Sequence, residues 1–221
     1  MFISNTYIVF FYRLIYIFIC VNGLKRHFFP FSIKKSMRMF SYFTIQTNIL
    51  CLLLFIILLM DTIKEFYLPE SKTTIRKKHQ KLRGMIIMSI TVVFFAYNFV
   101  LKYSGFSMAH DISYHITVND IYVHYLIPIM TITDWILFEE KNSFTFTDPF
   151  IWLLLPASYY LIINIKTIFQ SCSYPYYFID IDKLGLSTVL NNALLCVCVC
   201  LVLGYLIVII DKALSLIWFF Q

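Results

Sequence analysis

The sequence predicts an all-α fold, a polytopic membrane protein whose single domain, residues 1–221, is a bundle of six transmembrane helices. Two observations carry this. The chain is 60% hydrophobic and 19% aromatic with only 14% charged residues, and its mean hydropathy of +0.78 exceeds that of soluble domains. Six apolar stretches also approach the roughly 20 residues that an α-helix needs to cross a hydrocarbon core about 30 Å thick. They consume most of the chain, leaving no room for a separate soluble catalytic module.

Helix 1 is expected over Ile3–Asn22. Nothing basic precedes it and no small-residue cleavage site follows, so a cleaved signal peptide is not expected. Arg13, in its middle, is expected to snorkel or to find a polar partner. Helix 2, Met39–Met60, opens on the polar run FTIQTN, and helix 3 spans Met85–Lys102. Helix 4, Val118–Phe138, contains Pro128, which is expected to kink it one turn below His124. Helices 5 and 6 are expected over Pro149–Phe169 and Thr188–Ile210.

Five of the six cysteines lie in these helices, Cys172 being the exception, so no extracellular disulfide framework is expected. Cys196, Cys198 and Cys200 alternate around a helix and do not have zinc-site spacing. They read as small hydrophobes. The net charge of +6 comes from two basic loops. Lys25, Arg26, Lys34, Lys35 and Arg38 lie in the first, and Lys64, Lys72, Arg76, Lys77, Lys78, Lys81 and Arg83 in the second. This pattern suits lipid headgroups rather than nucleic acid, and the excess in the second loop favours both termini on the cytoplasmic side of the cell membrane.

In an antiparallel bundle loops 1, 3 and 5 share one side, and the intramembrane polar residues gather in that half. They are Thr44, Gln46, Thr47, Asn48, Asn98, Asn119, Asp120, His124, Asn164, Lys166, Thr167, Asn191 and Asn192. The other half offers mainly Asp134, for which pairing with a loop 2 base is expected. The asymmetry suggests a water-accessible cavity. Counted from the expected helix starts, Thr44 and His124 both lie roughly 8–9 Å below the boundary. Thr44, Thr47 and Asn48 share one helical face, with Cys51 below and Gln46 turned elsewhere. Asp120, His124 and Pro128 form a second stripe.

A threonine hydroxyl is a poor nucleophile until a base takes its proton, and neutral histidine suits that role near pH 7. Thr44 as nucleophile, His124 as base and Asp120 as orienter would satisfy the chemistry. Asn48, Asn191, Asn192 or Tyr176 would donate to an oxyanion. Thr47, Asn98, and Tyr174 and Asp180 of loop 5 complete the expected substrate contacts. Plain structural roles compete with each of these. Membrane threonines commonly bond their own backbone, Asn119 and Asp120 suit an N-terminal cap, and the loop 5 stretch YPYYFIDIDKLG, Tyr174–Gly185, suits an interfacial cap as well as a cavity lid. Asp180, Asp182, His110 and His115 have no recognised metal-ligand spacing, so neither metal nor cofactor is expected.

FSYFTIQTN at the start of helix 2, HYLIP followed by DW in helix 4, LLLPASYY in helix 5 and YPYYFIDIDKLG before helix 6 resemble, in order and spacing, the Pr6Pr family of six-helix membrane proteins. That family resembles in turn the androgen-induced proteins, lipid hydrolases with an intramembrane threonine and histidine. The resemblance runs from about Met37 to the C-terminus. It implies that Thr44 matches the threonine, His124 the histidine, and Tyr174, Pro175 and Asp180 the Tyr-Pro stretch and its acid; the histidine-to-proline spacing is one residue shorter here. The expected function is therefore an integral-membrane lipid ester hydrolase or transacylase, with membrane lipids as its partners. The alternative is a non-catalytic lipid- or solute-binding protein or a transporter.

Overall fold

The structure, a computed structural model, describes residues 3–68, 79–102, 116–170 and 173–219. Six helices are long and apolar enough to cross a membrane: Thr6–Phe28, Phe43–Tyr67, Gln80–Leu101, Val118–Phe138, Asp148–Thr167 and Leu186–Ile217. The protein is an all-α membrane bundle. His110, His115 and Cys172 lie outside the described residues, as does most of loop 2.

Several helix ends differ from the expected ones, mostly where charge lowers the hydropathy. Helix 1 starts on Asn5, whose Oδ1 accepts from the Tyr7 and Ile8 amides at 2.9 and 3.4 Å. It continues through Lys25, Arg26 and His27 to Phe28. Cations in a last turn are favoured by the helix dipole, and Pro30 holds Phe29 extended and stops the helix. Helix 2 begins at Phe43 rather than Met39, because Ile33–Met39 forms a separate short helix. It runs past Met60, burying Asp61, Thr62 and Glu65. Helix 3 likewise starts early enough to bury Arg83 and Gly84.

Helix 4 has the expected bounds and is irregular just before Pro128. A π turn, Tyr122–Leu126, sits between two α-helical pieces, and Ile127–Phe138 carries Pro128 in its first turn. A proline ring clashes with the carbonyl four residues back and offers it no N–H. Widening the turn that holds His124 accommodates that misfit.

Helix 3 is the hub, with 56% of its span window buried against 17% for helix 5. One apolar cluster joins helices 1 to 4 and loop 5 around Tyr16, Phe55, Ile90 and Ile127. Tyr16 stacks on Phe55 at 3.4 Å between ring centroids, a contact worth about 0.5–1.5 kcal/mol beyond its burial. A second cluster joins helices 3 to 6 around Trp135, Phe144 and Trp152.

The half of the bundle facing loops 2 and 4 is not poor in polar groups. Arg13, Asp61, Glu65, Arg83, Asp134, Glu139 and Asp211 are all buried there. Arg13 donates to Asp134 Oδ1 at 3.0 Å, Glu139 Oε1 at 2.6 Å and Thr62 Oγ1 at 3.0 Å. Arg83 also pairs with Glu139. Asp134 therefore takes its cation from helix 1, not from loop 2. The expected asymmetry fails because most of these residues lie beyond the expected helix ends.

Candidate functional site

Thr44 is the second residue of helix 2, whose N-cap, Tyr42, makes no side-chain capping bond. Loop 5 supplies one instead. The Thr44 amide donates to the Tyr176 phenol oxygen at 3.4 Å. Burial pushes the Tyr176 phenol up to about 12, so it stays protonated and remains a donor. Helix 5 braces the same end of helix 2: Tyr159 Oη donates to the Ser41 carbonyl at 2.9 Å and Lys166 Nζ to Ser41 Oγ at 2.7 Å.

Asn48 lies one turn deeper on the Thr44 face. Its amide nitrogen donates to the Thr44 carbonyl at 2.7 Å and to the Val123 carbonyl at 3.3 Å. This side chain ties helix 2 to the residue before His124. It also sets the register, because Asn48 and Val123 are each sixth in their helices. Thr44 therefore does not share the depth of His124; it sits about 7.5 Å nearer the boundary, five residues at 1.5 Å each. The equal-depth expectation came from starting helix 2 at Met39.

His124 is 1% exposed. Its ring stacks on Tyr97 at 3.9 Å between centroids and 10° between planes. Neither ring nitrogen has a hydrogen-bond partner, and the Thr47 hydroxyl and Asn48 Oδ1 are likewise buried without one. Orphaned polar atoms are costly inside a bilayer, where water does not reach them. Four of them lie on these two helices.

Asp120 does not orient His124. Its Oδ2 accepts from the Thr117 amide at 3.0 Å and the Thr117 hydroxyl at 2.6 Å, and its own amide donates to Thr117 Oγ1 at 3.2 Å. This reciprocal cap starts helix 4. Asn98 is occupied as well, accepting from Tyr125 Oη at 2.7 Å and donating to the Phe94 carbonyl at 2.8 Å. Asp180 caps the short helix Ile181–Leu184, and Asn192 donates to the Phe178 carbonyl at 2.8 Å, so both hold loop 5 in place. Asn191 is exposed, and Tyr174 packs on the apolar cluster.

The structure thus links Thr44 to Tyr176 and to Asn48, ties Asn48 to the residue before His124, and occupies Asp120 and Asn98 elsewhere while Asn191 is exposed. Two neighbours were missed from the sequence, Tyr97 and His27. Both are buried, and His27 lies in electrostatic range of His124. The signal for His27 was the spacing of Cys20, Gly23 and His27, which continues one helical face past the charged residues. Among the described residues no three His, Cys, Asp or Glu side chains gather as a metal site. A scan of protein-family models returned no match to this chain, and searches of curated proteins and of solved structures returned none either.

Proposed function

We propose that this membrane protein is a lipid ester hydrolase, or a transacylase of the same chemistry, in which Thr44 attacks and His124 moves the proton. The observation that carries the reading is a buried imidazole with both nitrogens unpartnered, on a helix whose preceding residue, Val123, is tied through Asn48 to the turn that begins at Thr44. Ionisable side chains in a membrane interior usually mark function. Thr44 lies in the first turn of its helix, the depth at which a phospholipid presents its ester groups. The Tyr176 phenol and the first amides of helix 2 would receive the oxyanion. The resemblance to the Pr6Pr and androgen-induced proteins at Thr44, His124 and the Tyr-Pro stretch supports the same assignment, and the excess of basic residues in loop 2 over loop 1 supports a cell-membrane protein with cytoplasmic termini.

A second reading is favoured by one observation: Thr44 and His124 are not hydrogen-bonded to each other. In that reading the orphaned atoms of Thr47, Asn48 and His124 recognise a lipid headgroup or small solute without chemistry. A fluorophosphonate probe and a panel of ester lipids separate the two. Thr44→Ala and His124→Ala are each expected to lose labelling and turnover by roughly 100-fold or more. Undiminished labelling and turnover in the first two variants would end the threonine-nucleophile reading. Saturable lipid binding without turnover in the intact protein would favour recognition alone.

A further inference from the structure

No hydrogen bond holds the His124 ring, yet one aromatic face lies against it. Tyr97 of helix 3 stacks on the imidazole with centroids 3.9 Å apart and planes 10° from parallel. Tyr97 opens a π turn, Tyr97–Leu101, and His124 lies in the π turn of helix 4. Pro128 accounts for the turn at His124, but the sequence has no proline between Tyr97 and Pro128 to account for the other. π turns are rare and recur at functional sites. The Tyr97 ring is buried and is itself braced. Tyr125 stands at right angles to it, at 5.8 Å and 88°, and at right angles to Phe94, at 5.8 Å and 85°. Tyr125 Oη donates to Asn98 Oδ1 at 2.7 Å, and Asn98 Nδ2 donates to the Phe94 carbonyl at 2.8 Å.

We infer that Tyr97 is the positioning residue of His124, the role that Asp120 does not fill, and that its ring face favours the protonated imidazole. This rests on the acyl-transfer reading above. An imidazole turns easily about its last torsion, whose wells are broad. Its lone pair and N–H bonds lie in the ring plane, so a partner on the face fixes that plane without engaging either nitrogen. Parallel faces are not the favoured arrangement of two neutral rings, whereas a cation is drawn over an aromatic face. The contact therefore strengthens as His124 takes up a proton. Thr44 Oγ–H gives that proton to the lone pair of neutral His124 as the Thr44 oxygen bonds the ester carbonyl carbon. The proton passes to the alkoxide as the acyl–oxygen bond breaks. Water, or the hydroxyl of an acceptor lipid, then repeats the exchange and frees Thr44, and Tyr97 gains and loses no proton. The titratable groups in electrostatic range of the stacked pair are His27 of helix 1 and Asp120 and Tyr125 of helix 4.

The test measures fluorophosphonate labelling of the full chain in nanodiscs against probe concentration, with thermal unfolding in parallel. Tyr97→Leu removes the ring face and is expected to slow the covalent step roughly ten-fold or more, with the half-saturating probe concentration unchanged. Tyr97→Phe keeps the face and is expected to stay within about three-fold of the parent. The ring protons of His124, shielded by the stacked face, are expected to keep their NMR shifts in Tyr97→Phe and to move downfield in Tyr97→Leu. Labelling at the parental rate in Tyr97→Leu, with Thr44→Ala and His124→Ala silent, would overturn the inference. So would an equal loss in both Tyr97 variants, or a loss that tracks a lower unfolding temperature while the His124 shifts stay put. Normal labelling in Thr44→Ala and His124→Ala would instead overturn the acyl-transfer reading, and the role of the stack with it.

Discussion

Asp120 and Thr117 satisfy each other's backbone within one turn, at 3.0 and 3.2 Å. Asp120→Ala is accordingly expected to lower the unfolding temperature in detergent, at a cost of about 1 kcal/mol. A cap partner three residues away is always within reach, whereas His124 becomes a partner only if the side chain turns inward. Local bonding of this kind explains which site residues were legible in the sequence. Thr44, Thr47, Asn48 and His124 announced themselves as polar groups in apolar helices. Asn98 and Asn192 looked the same, and Asp180 stood out in loop 5, yet each is held by nearby groups of its own end of the bundle. Sequence spacing does not tell an occupied amide from a vacant one.

Helices report their middles well and their ends badly. Every expected helix exists, and helix 4 has the expected bounds, because apolar runs near 20 residues leave few alternatives. The ends went astray where a polar or charged residue stayed inside: Asp61 and Glu65 on helix 2, Arg83 on helix 3, His27 on helix 1. Partner helices make such burial tolerable, and partners are invisible to a hydropathy window. The same added turn of helix 3 contains Gly84, where a Cβ would lie 2.2 Å from Trp152 Cζ2. Trp152 is fully buried and its ring is rigid, so Gly84→Ala is expected to push helices 3 and 5 apart. Overpacking of this kind costs roughly 1–3 kcal/mol, read as a lower unfolding midpoint.

Across the whole bundle the two polar groups sit at opposite ends and differ in kind. Unpartnered polar atoms occur at both ends, but only the end away from Thr44 and His124 closes buried arginines, Arg13 and Arg83, on Asp134 and Glu139. Removing one member of a buried ion pair strands the other, at roughly 3–5 kcal/mol. Arg13→Met is therefore expected to destabilise the protein strongly, and Arg13→Met with Asp134→Leu to recover part of the loss, both measured by thermal unfolding. The pairing of Arg13 with Asp134 also spans 121 residues of sequence. At about 5–20 residues per second, translation delivers helix 4 many seconds after helix 1 has left the ribosome. For that interval helix 1 carries an unneutralised arginine, enough to cost about 2.5–3.5 kcal/mol on transfer into lipid. The ion pair thus gives the nascent chain a reason to hold its first helix at the insertion machinery until its fourth arrives.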